Sequence, residues 1–183
     1  IGVESEVGKG STFTVDVPFG RASGEGAATC DDAFAARSRT HGDGVSYDFS
    51  GRRVIVAEDN ELNREIATEV LAMAGAEVLA ASTGAEAVRA FERSHPGSVD
   101  LIFMDIQMPE MDGYEATRVI RSLDRDDARS VPIVAMTANA FVEDEERSRM
   151  SGMDGHLSKP LDIHLVYATM DRFLRGRSRG GGA

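Results

Sequence analysis

Three runs of four apolar residues, Val54–Ala57, Leu101–Met104 and Ile133–Met136, each stand just before a stretch of helical character. A segment that is apolar at every position has no solvent face, so it belongs in a strand covered on both sides. Two weaker runs, Glu77–Ala81 and Gly155–Ser158, bring the strands to five. The spacing between them predicts five helices. The first carries Leu62, Ile66, Val70 and Met73 and stops at Gly75, and the second covers 85–93 and ends at His95-Pro96-Gly97. The third covers 114–122 with Val119 and Ile120 inward, and an acidic fourth covers 139–150 and closes at Gly152. The last covers 161–174, with Leu165, Val166, Met170 and Phe173 available for packing. Strict alternation of strand and helix implies parallel strands joined by right-handed crossovers, hence an open α/β sheet with helices on both faces.

In such sheets ligands sit beyond the carboxyl ends of the strands, where the strand order reverses. Here the strand ends carry chemistry. The first finishes in Glu58 and Asp59, the third in Asp105, the fourth in Thr137 and the fifth in Lys159. Three carboxylates, a hydroxyl and an ammonium therefore converge at one edge. Clustered carboxylates repel unless a cation neutralises them, and oxygen-only ligands suit a hard ion such as magnesium. One carboxylate can then attack phosphorus to give an acyl phosphate, while lysine pairs with the phosphoryl oxygens and threonine donates to them. Taken singly, most other acids read as solvated surface groups. Glu143–Glu146 form a wet helix face, and Asp112 before Gly113 reads as turn chemistry.

Four segments occur in order: Val56-Ala57-Glu58-Asp59-Asn60, Met104-Asp105-Ile106-Gln107-Met108-Pro109-Glu110-Met111-Asp112-Gly113, Ala135-Met136-Thr137-Ala138-Asn139-Ala140 and Ser158-Lys159-Pro160. Together they resemble the receiver domains of two-component response regulators, particularly those fused to hybrid histidine kinases. The resemblance covers 52–175 and implies a flavodoxin-like (βα)5 doubly wound sheet of strand order 2-1-3-4-5. It makes Asp105 the phosphoacceptor. Asp59, Asp105 and the Gln107 carbonyl become magnesium ligands, with Glu58 acting through a bound water. Lys159 bridges to the phosphoryl group, the Lys159–Pro160 bond is cis, and Thr137 moves toward the phosphate as a switch. The aromatic residue that the family places three positions before the lysine is His156 here, which puts the usual switch partner of Thr137 in doubt. The partners implied are the phosphohistidine domain of a histidine kinase or a histidine phosphotransfer protein. The donor is expected to dock on the first helix around Asn60, Asn63 and Ile66. Phosphoryl groups on Asp105 are then passed on or hydrolysed.

The remaining chain reads differently. Thr12–Val17 alternates as a strand closed by Pro18, after a turn over Gly8–Ser11. Residues 1–20 resemble the closing hairpin of a histidine-kinase ATP-binding domain, residues 21–51 read as a flexible linker, and residues 176–183 as a disordered tail. The start at Ile1, without Met or signal layout, is expected of a piece of a longer protein, the parent being a histidine kinase. A formal net charge of -11 argues against nucleic acid or an anionic membrane as partner. No apolar run reaches a membrane span, and the single cysteine, Cys30, points to a cytoplasmic setting. Two other readings carry less of the sequence. An aspartyl phosphatase needs an acid two residues after its nucleophile, where this chain has Gln107, and a phosphorylation-independent interaction domain does not need the acids, threonine and lysine that are all present.

Overall fold

The computed structural model describes residues 2–6, 10–14, 47–138 and 150–175. The linker over 21–46, the acidic helix over 139–149, the end of the first predicted strand (15–18) and the tail over 176–183 lie outside the described residues.

The chain forms two compact units. In the first, β1 (Gly2–Glu6) pairs antiparallel with β2 (Gly10–Thr14), with Glu6 opposite Gly10. The sequence reading leaves Gly10 and Ser11 in the turn and begins the strand at Thr12. The ladder in fact starts at Gly10, whose φ of 102° is one that glycine adopts without a Cβ penalty.

The second unit holds β3 (Arg53–Ala57), β4 (Glu77–Ala81), β5 (Leu101–Asp105), β6 (Ile133–Thr137) and β7 (Gly155–Ser158). They form one parallel sheet of order β4-β3-β5-β6-β7, which is 2-1-3-4-5 counted within the sheet. This is the flavodoxin-like arrangement. Four helices are described: α1 (Glu61–Met73), α2 (Gly84–Arg93) and α3 (Gly113–Ser122) connect successive strands, and α4 (Ile163–Leu174) follows β7. Each begins on a side-chain cap, from Asn60, Thr83, Asp112 and Asp162 respectively. Asp112, read as turn chemistry, is thus the N-cap of α3 and accepts from the Glu115 amide at 2.7 Å.

The apolar strands divide their side chains between two layers. Ile55, Ala57, Ile102, Met104, Ile133 and Ala135 pack with Phe91, Ala116 and Ile120 of α2 and α3. Val54, Val56, Leu101, Phe103, Val134 and Met136 pack with Leu71, Val166 and Met170 of α1 and α4. Each fully buried aliphatic side chain contributes about 1.5–3 kcal/mol, and helices on both faces let every residue of a strand do so.

One helix turns a different stripe inward than the spacing predicts. In α1 the buried residues are Ala67 and Leu71, while Leu62, Ile66 and Met73 are 64%, 50% and 50% exposed. In α4 the expected Val166 and Met170 are buried and Phe173 packs against the same layer, with Leu174 buried beside them, whereas Leu165 is 54% exposed. Ala67 and Leu71 are the residues with which α1 enters the layer formed by Val54, Val56, Leu101 and Phe103.

Residues Tyr47–Ser50, placed by sequence in the linker, pack onto this unit. Phe49 is 5% exposed within the α1/α4 layer, and its amide donates to Ala74 O at 2.7 Å. Tyr47, Phe49 and Tyr167 form a three-ring cluster with centroids 5.6–5.9 Å apart, and the Tyr167 hydroxyl donates to Val70 O. Phe49→Ala is expected to destabilise the unit by about 3 kcal/mol, as removal of a buried ring does. Urea unfolding measures it, and an unchanged midpoint would mean that this strap contributes nothing.

Candidate functional site

The register of the parallel ladder brings the chemically active residues to one edge. Ala57 pairs with Met104, Asp105 with Met136 and Thr137 with Ser158, so Glu58, Asp105, Thr137 and Lys159 all fall at the carboxyl ends. Glu58 is 2% exposed, Asp105 4% and Thr137 8%, while Asp59 is exposed.

Lys159 is at the centre of the site. Its Nζ lies 2.6 Å from Glu58 Oε2 and 2.6 Å from Asp105 Oδ2. Two nearly buried carboxylates without a partner would carry a penalty of several kcal/mol each, and the shared ammonium offsets part of it. Asp105 also accepts from the Gln107 amide through Oδ1 at 3.2 Å, and Glu58 accepts from Asn63 Nδ2 through Oε1 at 3.1 Å. Burial pushes the Asp105 carboxyl above the usual carboxylate range, outweighing the pull of Lys159. Burial alone would lower the Lys159 ammonium, but its bonds to Asp105 and Glu58 prevail and hold it above the ordinary lysine value.

One positive charge does not balance this pocket. Glu58, Asp59 and Asp105 each offer an oxygen, all within 4.8 Å of one another. Oxygen-only donors this close, with net negative charge left over, fit a hard divalent cation such as magnesium, which takes a few carboxylates and keeps waters.

The backbone around the site is arranged by close approaches. Lys159 N donates to Thr137 O at 2.7 Å and Ile106 N to Met136 O at 3.2 Å, which ties the loops after β5 and β7 to β6. The Lys159–Pro160 bond is cis. Gly113 N donates to Ile106 O at 3.0 Å, which folds the loop after Asp105 back onto itself.

The other residues singled out in the sequence are placed as follows. His156 is exposed on β7 opposite Ala135, and Gln107 meets Asp105 through its backbone amide, where a phosphatase of the kind considered would need an acid. Asn60 caps α1, Asn63 holds Glu58, and Ile66 stands half exposed on the same helix. The sequence reading overlooked Arg64, whose Nη1 donates to Glu58 O at 2.8 Å and Asp59 O at 3.2 Å. A signal was present: a cation in the first turn of a helix opposes the helix dipole and asks for a reason.

Among the described residues no helix is long and apolar enough to cross a membrane. Residues 54–171 match the family model of the response regulator receiver domain. Among curated proteins, the chain is 34% identical over 146 residues to Histidine kinase 3 of Arabidopsis thaliana, covering 70% of this chain but 14% of that protein. It is 36% identical over 123 residues to the polar-differentiation response regulator DivK of Brucella ovis, covering 67% of this chain and 96% of that one. Among solved structures, the receiver domain of the sensor histidine kinase PA1611 from Pseudomonas aeruginosa, with magnesium coordinated in its active-site cleft, is similar at a TM-score of 0.62 and 35% identity. That match covers 68% of this chain and 98% of that one. The receiver domain of Ssk1 from Saccharomyces cerevisiae, co-crystallised with the histidine phosphotransfer protein Ypd1, is similar at a TM-score of 0.61 and 28% identity, covering 68% and 90%. A doubly wound sheet with an acidic, lysine-bridged pocket at its switch point, and a family match over nearly the whole of that sheet, have one common explanation: the chain belongs to the response regulator receiver domain family.

Proposed function

We propose that the chain is the phosphoryl-accepting relay module of a hybrid histidine kinase, acting in the cytoplasm. The observation that carries the reading is the Lys159 ammonium at 2.6 Å from both Glu58 and Asp105, inside a cluster able to hold a divalent cation.

An Asp105 carboxylate oxygen attacks the phosphorus of a phosphohistidine. The new O–P bond forms as the P–N bond breaks, and its electron pair stays on the imidazole nitrogen. Lys159 exchanges a carboxylate oxygen for a phosphoryl oxygen and balances its charge there. The Thr137 hydroxyl donates to the same group, and its displacement transmits the change to neighbouring elements. Asp59, Asp105 and the Gln107 carbonyl would hold magnesium, with Glu58 acting through a bound water; when bound, the ion neutralises charge on the transferring phosphoryl group. The acyl phosphate is later passed on or hydrolysed.

The donor is a phosphohistidine helix of the parent kinase or of a phosphotransfer protein. It docks at the start of α1, around Asn60, Asn63 and Ile66. Exposed Leu62 and Ile66, and an apolar groove lined by Ile66, Val70, Leu161 and Ile163 between α1 and α4, offer it a surface beside the acidic pocket. The co-crystallised Ssk1–Ypd1 pair supports such a partner. The hairpin β1–β2 supports reading residues 1–20 as the end of a kinase ATP-binding domain, followed by a linker. The match to a histidine kinase points the same way, although this chain spans only 14% of that relative's length.

Incubation with phosphoramidate, with and without Mg2+, tests the reading. Labelling is expected to require Mg2+ and to vanish in Asp105→Asn. Label that persists in that variant removes the proposal. The same variant is expected to be more stable than the parent without metal, by about 1 kcal/mol. Asp105 titrates above the usual carboxylate value, so the stability it contributes is complete below that usual value. This stability is lost as the pH rises through the raised value, and Asn does not undergo that loss.

A further inference from the structure

The structure assigns Arg64 a positioning role in metal capture, an inference that rests on the magnesium reading above. Arg64 is the fourth residue of α1, where a cation opposes the helix dipole. Its guanidinium Nη1 bridges two successive carbonyls, Glu58 O at 2.8 Å and Asp59 O at 3.2 Å. These carbonyls belong to the turn between β3 and α1, which supplies two of the three acids of the pocket.

The two acids are held very differently. Glu58 is anchored on every side: its amide donates to Ala81 O at 3.0 Å, Oε1 accepts from Asn63, and Oε2 meets Lys159. The Asp59 carboxylate is exposed and receives no side-chain or backbone donor among the described residues. What aims it at the pocket is the orientation of its own backbone, and Arg64 grips the peptide carbonyls on both sides of the Asp59 Cα. A flexible acid would have to be ordered by the incoming ion, which lowers affinity. Outer contacts that orient a ligand typically change metal affinity about 10–100-fold.

A competing effect has the opposite sign. The positive charge of Arg64 repels a divalent cation, so its removal could tighten binding. Arg64 is only half-buried, and water screens charges there, whereas orientation acts directly on the ligand. Orientation is therefore taken to prevail.

Titration calorimetry of the 183-residue chain with MgCl2 decides the matter. Arg64→Met keeps the apolar stem and removes the bridge, and its Kd for Mg2+ is expected to rise about tenfold. Arg64→Lys keeps the charge, but its side chain is one bond shorter than the path to Nη1 and lacks the fixed plane that aims that nitrogen, so it is expected to recover less than half of the loss. An unchanged or lower Kd in Arg64→Met overturns the assignment. So does full recovery in Arg64→Lys, which would show that the guanidinium's reach and fixed geometry are not what orients Asp59. If the parent chain itself takes up no Mg2+, the magnesium reading fails, and the role of Arg64 fails with it. Circular dichroism without metal checks the fold of each variant. Should Arg64→Met prove unfolded, Arg64→Gln, which is neutral and too short to reach the position of Nη1, replaces it under the same criteria.

Discussion

Lys159→Met is expected to destabilise the metal-free protein by about 3–5 kcal/mol and to abolish phosphorylation of Asp105. The stability effect follows from what the substitution leaves behind. Glu58 and Asp105 are 2% and 4% exposed, and Lys159 Nζ is the cation at 2.6 Å from both. Removing one member of a buried ionic cluster costs about 3–5 kcal/mol, because the charges that remain are desolvated and repel each other. Mg2+ is expected to restore part of the loss, since an ion bound only by the folded state at 100 times its Kd adds about 2.7 kcal/mol. The phosphoryl group would still lack its lysine partner, so labelling stays absent even at high Mg2+. Urea unfolding with and without Mg2+, beside phosphoramidate labelling, reads both arms. A variant as stable as the parent without metal would show that the two carboxylates are not ionised together. The pH dependence has a definite sign. The Lys159 ammonium is held above the ordinary lysine value, so its stabilisation is complete below that value and fades as the pH rises through the elevated one.

Gly113→Ala tests how the loop after the phosphoacceptor is built. A Cβ at Gly113 would lie 2.2 Å from Asp105 O, and 3.0 Å from both Asp105 C and Ile106 Cα. These are backbone atoms of the residue that carries the chemistry, and no rotamer change can move them aside. Two effects compete. Alanine in a helix is worth up to about 1 kcal/mol over glycine, and Gly113 opens α3, so propensity alone predicts a gain. Overpacking against fixed backbone costs about 1–3 kcal/mol or more, and a contact this short belongs at the upper end. A net loss of about 2 kcal/mol is expected. Asp105 would also be displaced from Lys159, with a fall in labelling of at least tenfold, since misplacement of a reacting group by about 1 Å can reduce rate by about 100-fold. A stabilised, fully active Gly113→Ala protein would mean that the loop yields freely and does not position Asp105.

Much of the fold was legible because the covered strands have no polar position. Val54–Ala57, Leu101–Met104 and Ile133–Met136 could only be interior strands, and a parallel sheet then carries Glu58, Asp59, Asp105, Thr137 and Lys159 to one edge. The orientation of α1 was less legible. Helical spacing reveals an apolar stripe, but α1 carries two: Leu62–Ile66–Val70–Met73, and Ala67 with Leu71. The second is the one buried against the sheet, a choice that periodicity alone does not make. The exposed remainder of the first stripe is what borders the proposed docking site.

Phe49 and Arg64 escaped the sequence reading for a related reason. Phe49 stands in a stretch without periodicity, and its partners Ala74 and Tyr167 are far away along the chain. Arg64 bonds to backbone carbonyls, which every residue has, so no pairing of residue types announces it.

By itself, then, the order of residues determined which segments are strands, that they run parallel, and which side chains stand at their ends, since periodicity and chain alternation are local properties. Tertiary structure alone decided which helix face meets the sheet, that one ammonium serves two acids, and that a guanidinium and a missing Cβ set the backbone beneath them. The helix faces and the shared ammonium depend on distances between segments remote in sequence, while the guanidinium and the missing Cβ act through backbone geometry that residue types do not announce.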